Sequence, residues 1–168
     1  MRQISEETIL SIDSFMVVLS NEQIVPLANR MKEKQPHLQL YFLSFISEIC
    51  NAKELAVQEI IFIYIIRAYE YEYGEIAEIP EEKTNELNER IIKFFQTELK
   101  RNSINKVYKE IRKNARQREL IDFLESLADG KRFIETPFRN ELKPHVMAGI
   151  YSILILLNDT IEAINQES

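Results

Sequence analysis

From Leu55 to Tyr69 the chain reads LAVQEIIFIYIIRAY, and only Gln58, Glu59 and Arg67 interrupt its apolar and aromatic side chains. An amphipathic helix turns a polar face to water every three or four residues, and this stretch has none wide enough. A helix here must be covered on nearly every side. The segment VMAGIYSILILL, Val146 to Leu157, has the same character. These two rods, about 52–73 and 145–165, are expected side by side at the centre, with Gly149 letting them approach closely.

The rest of the chain reads as helices laid against that pair. Ser5 is a cap for a first helix, Glu6 and Glu7 suit its positive end, and Ile9, Ile12, Met16 and Leu19 form one buried stripe. The chain breaks near Ser20, and a second helix containing Pro26 runs to the polar stretch Lys32 to Gln35. Pro36 opens a third, with Leu40, Phe42, Leu43, Ile46, Ile49 and Cys50 facing inward.

Gly74 stops the central helix and Pro80 opens the next, whose inward stripe is Leu87, Ile91, Phe94, Phe95 and Leu99. After Asn102 and Ser103, two stripes follow that are rotated from each other: Val107, Tyr108, Ile111 and Ala115, then Leu120, Ile121, Leu124, Leu127 and Ala128. The helix therefore bends or changes neighbour near Gln117. Between Gly130 and Pro144 helical periodicity fades, apart from Thr136 and Pro137, which suit a cap and a first turn.

Composition agrees with an all-α reading. Only three Gly and five Pro occur in 168 residues, and Glu, a helix former, far outnumbers Asp. The expectation is one domain, residues 1–168, built as a bundle of six to seven helices around the two apolar ones. The single cysteine, Cys50, leaves no intrachain disulfide to form and fits a reducing compartment. The first residues lack a signal-peptide core, and the longest apolar run is shorter than a membrane span, so cytoplasmic residence without membrane contact is expected.

Charge is unevenly placed. Glu70 to Glu89 holds eight Glu and one Lys, whereas Lys100 to Arg118 holds eight Lys or Arg and one Glu, within a chain of net charge −6. Lys106, Lys109, Arg112, Lys113 and Arg116 follow helical spacing and make one face basic. Such a face serves an acidic protein surface or nucleic-acid phosphates, or is a solvated face paired with the acidic segment.

Two further groupings carry weaker signals. Tyr64, Arg67 and Tyr71 share one side of the central helix and could line a pocket, or could equally cap the end of the core. Arg132, Arg139 and His145 make the irregular segment a candidate anion-binding loop. No catalytic motif, cofactor fingerprint or metal-ligand spacing stands out; Glu141 and His145 have a helical spacing but no second histidine nearby. The expected function is a non-enzymatic protein–protein interaction or regulatory module that self-associates or binds another protein. A nucleic-acid-associated protein using the basic face over 104–117 ranks second, and a small-molecule sensor or enzyme with a pocket near Arg67 ranks third.

Overall fold

The computed structural model describes residues 2–130 and 138–166, and every regular element among them is helical. In chain order the elements are α1 (Glu6–Val17), α2 (Asn21–Lys34), α3 (Pro36–Ser44), α4 (Ala52–Tyr73), α5 (Glu81–Glu98), α6 (Ile104–Asn114), α7 (Arg118–Ala128) and α8 (Lys143–Gln166). The all-α expectation holds, but the described residues form eight helices rather than the six or seven anticipated.

Helix α4 is the axis. Asn51 Oδ1 accepts from the amides of Lys53 and Glu54 while Glu54 reaches back to the Asn51 amide, so both ends of a capping box are closed. At the other end Gly74 adopts φ 87, a left-handed conformation that favours glycine and stops the helix. Between these ends, Ile61 to Ile66 are all buried. The covering is supplied by α1, α2, α3, α7 and α8, each of which packs on α4. Helix α8 is the second core rod. Its stretch Lys143–Ile164 has the length and hydropathy of a membrane span, yet 67% of that window is buried inside the protein.

Gly149 does make a close approach, but toward α3 rather than α4. A Cβ built there would sit 3.0 Å from the Phe42 ring and 3.3 Å from that of Phe45. Phe42 cannot give way: it is fully buried, stacked on Phe62, and its carbonyl accepts from Gln58 Nε2.

The extra helix comes from a break at residues 115–117. Arg116 takes φ 58, which ends α6 and redirects the chain, and α7 sets off with its apolar stripe rotated to face α1, α4 and α8. Gln117, fully buried, holds this corner. Its Oε1 accepts from the Ile4 amide at 2.8 Å, and its Nε2 donates to Tyr73 Oη and to Asn158 Oδ1, both at 3.2 Å. Asn158 in turn donates to the Ala115 carbonyl and accepts from Tyr69 Oη at 2.6 Å. One amide cluster therefore ties the N-terminal strand of chain to α4, the α6–α7 corner and α8.

Gln35 plays a similar part at the other side. It donates to the carbonyls of Ile76 and Ala77 and accepts from the Ile79 amide, fixing the loop after α4. Three inward expectations fail: Leu40, Ile49 and Leu99 are exposed. Ile49 lies beyond the end of α3 at Ser44, and Leu99 beyond the end of α5 at Glu98.

Two substitutions test this packing. Gly149→Ala should lower unfolding free energy by about 1 kcal/mol, the overpacking cost exceeding the gain in helix propensity. In the same denaturant titration Gln117→Ala should cost about 2–3 kcal/mol, because it strands several buried polar groups. A neutral outcome for Gln117→Ala would sink the cornerstone role given to that side chain.

Candidate interaction surfaces

The basic face of α6 is divided. Arg112 Nε donates to Glu125 Oε1 at 2.8 Å, and its Nη2 pairs with Asp122, both acids belonging to α7. Arg116 pairs with Glu162 of α8 at 2.8 Å. These two arginines therefore lock α6 to its neighbours, and Glu125 together with Asp122 holds the Arg112 guanidinium more firmly protonated than usual. Lys106, Lys109 and Lys113 are exposed and have no acid partner among the described residues.

The acidic segment finds its cations elsewhere. Glu70 takes Lys34 at 2.7 Å, Glu72 takes Arg2 at 2.8 Å, and Glu86 takes Lys83 on its own helix at 2.9 Å. Among the described residues no ion pair joins the 70–89 segment to the 100–118 segment. The two opposite charges stand apart in the fold.

Tyr64, Arg67 and Tyr71 do share a side of α4 but do not converge on a cavity. Tyr64 is buried, its hydroxyl donating to Asp13 at 3.0 Å and its ring against Phe123. Arg67 lies over the Phe15 ring, 5.6 Å from its centroid, with Glu70 3.7 Å away. Tyr71 points to solvent.

Of the candidate anion loop, Arg132 lies outside the described residues and His145 is exposed at the start of α8. Arg139 is already committed. Its Nε and Nη2 hold the two oxygens of Glu54 at 2.9 and 3.1 Å, its backbone amide donates to the same carboxylate, and its Nη2 also reaches the Ile49 carbonyl. This fork clamps the chain before α8 to the first turn of α4.

A cleft of about 550 Å³ lies between α6, the end of α7 and the start of α8. Its floor is Arg112, Glu125 and Tyr151, the tyrosine donating to Glu125 at 2.6 Å, and burial pushes that phenol above its usual range. Every charge on the floor is matched. Among the described residues no group of three His, Cys, Asp or Glu side chains is placed to hold a metal ion.

What periodicity did not pick out is an apolar surface on α1. Ile9, Ile12 and Met16 are buried as expected, but Leu10, Phe15, Val17 and Val18 are exposed, Val18 at 75%, and Val25 of α2 adds to them. The signal was there in the spacing: Leu10, Val17 and Val18 are seven and eight residues apart, one side of a helix, and away from the core stripe. Ser11 and Ser14 fill the gap, and the charge on that side, Glu7, sits at its N-terminal end.

No family model, curated protein or solved structure matches the chain.

The Glu54–Arg139 clamp has a pH signature. Hydrogen bonds from Arg139 outweigh burial and bring the Glu54 carboxyl down to about 2 from an ordinary 4.5. Because the folded value is the lower one, the clamp stabilises the fold fully above about 4.5 and is lost as pH falls toward about 2. Thermal melts of Glu54→Gln should show a flatter decline across that window than the parent protein. Parallel curves for the two would remove the assignment.

Proposed function

We propose that the protein is a non-enzymatic interaction module that pairs with a second copy of itself through the outer side of α1. The observation that carries this reading is that α1 is apolar on both sides, burying Ile9, Ile12 and Met16 and presenting Leu10, Val17 and Val18 to water. Isolated exposed apolar residues are ordinary, whereas a run along one helix face marks a contact surface.

A second copy suits that face because its central and C-terminal part, Leu10, Ser11, Ser14, Val17 and Val18, is apolar or uncharged, with Glu7 only at its N-terminal end. An antiparallel crossing about a two-fold axis at Ser14 sets Leu10 of one copy against Val18 of the other. The small serine at the crossing point permits close approach of the backbones. It also keeps the acidic pair Glu6 and Glu7 of the two copies at opposite ends, which limits repulsion.

The face sets the strength. Twelve residues of helix span about 18 Å, so α1 with Val25 covers less than the roughly 800 Å² per partner of a standard stable interface. The pairing is accordingly weak and concentration-dependent, with a dissociation constant on the order of micromolar.

Light scattering over a concentration series tests it. The mass should rise above 19.9 kDa toward twice that value, and Val17→Asp with Val18→Asp should hold the protein at 19.9 kDa with unchanged helical content. A strict monomer at every concentration would end this reading.

A further inference from the structure

We infer that the tip joining α5 to α6 is a docking surface for an anionic lipid membrane. Helix α5 changes character along its length. Its first half is acidic and buries Thr84 and Leu87; its second half holds Ile91, Ile92, Phe94, Phe95 and Leu99, none of which is fully buried. Phe95 meets Tyr108 of α6 edge-on at 5.7 Å, which brings the two helices together near the turn. From Leu99 to Lys106 every residue except Asn102 is exposed, so this turn projects from the body.

At that projection apolar and cationic side chains alternate. Ile92, Leu99 and Ile104 are each exposed by nearly half. Around them Lys93, Lys100, Arg101, Lys106 and Lys109 are exposed and have no acid partner among the described residues. The combination narrows the partner. Nucleic-acid phosphates would reward the cations and gain nothing from isoleucine and leucine, whereas the headgroup–acyl boundary of a bilayer rewards both. A convex tip also suits a deformable surface better than a folded protein, which would have to supply a matching hollow.

The net charge of −6 opposes approach to an anionic surface only if the charge is evenly spread. It is not. The 18 residues of α5 place Glu81 and Glu82 about 27 Å from the basic end, beyond roughly two screening lengths at physiological salt. Glu98 and Glu110 lie in the same region, but Lys93, Lys100, Arg101, Lys106 and Lys109 outnumber them, so the tip keeps a local positive excess. The contact is independent of α1 and of the pairing proposed above.

Flotation of the full chain with vesicles tests the inference, using phosphatidylcholine alone and phosphatidylcholine with about 30% phosphatidylserine. The protein should float with the anionic vesicles and not with the neutral ones, and added salt should weaken the association. Replacing Lys93, Lys100 and Lys106 by Gln should lower the partition coefficient about a hundredfold, close to fivefold for each cation. Leu99→Asn with Ile104→Asn should lower it at least tenfold while circular dichroism stays unchanged. Three outcomes would overturn the inference: no flotation with anionic vesicles at low salt, equal flotation with both kinds, or loss in the lysine variant with full binding in the Leu99/Ile104 variant. The last pattern, joined by salt-dependent binding to a DNA or RNA probe in parallel, would assign the cations to nucleic acid instead.

Discussion

Helix α4 can persist only where it is enclosed. Six consecutive residues, Ile61 to Ile66, point around the whole helix and every one is buried; exposing any single one to water would forfeit about 1.5–3 kcal/mol. No arrangement of two layers shields such a helix, because one side always remains open. The chain answers by wrapping α1, α2 and α3 around one part of it and α7 and α8 around the rest. The positions of the other helices follow from that enclosure; α5 packs on α3 and α8, with Ile91, Phe94 and Phe95 half-buried along its second half.

Wrapping one rod with short helices produces many corners, and corners leave backbone amides and carbonyls without helical partners. Here they are met by buried carboxamides. Gln35 serves the loop after α4, Gln58 serves the carbonyl of Phe42, and Gln117 with Asn158 serves Ile4 and Ala115. A carboxamide carries both donor and acceptor and no charge, so it can close a corner without the desolvation cost of an ion. An ionic closure, Glu54 with Arg139, lies where the arginine can keep part of its side chain in water.

The charged residues divide by the same geometry. Those within reach of an inter-helix seam are paired, as Arg112 and Arg116 are, and so act as fasteners. Those on projecting turns are left over. Among the described residues, the lysines at the α5–α6 turn and the apolar face of α1 are left uncovered, and they differ in chemistry: one is rich in cations, the other mainly apolar.

Most helices and the two core rods were readable from the chain, since local signals make them: Ser5 as a cap, Gly74 as stop, and unbroken apolar runs that no exposed helix tolerates. The change of stripe near Gln117 was readable too, though not its form. Beyond that, single positions were decided by partners far away in sequence. Gln117 looks like a linker residue until Ile4, 113 positions distant, donates to it, and Arg139 looks like a free cation until Glu54, 85 positions away, takes it. Leu40 and Leu99 sit in inward register yet face solvent. Periodicity reports which side of a helix is apolar; it does not report whether anything lies against that side. That depends on contacts between distant segments, and only the assembled fold settles which apolar faces and which charges are left to meet something else.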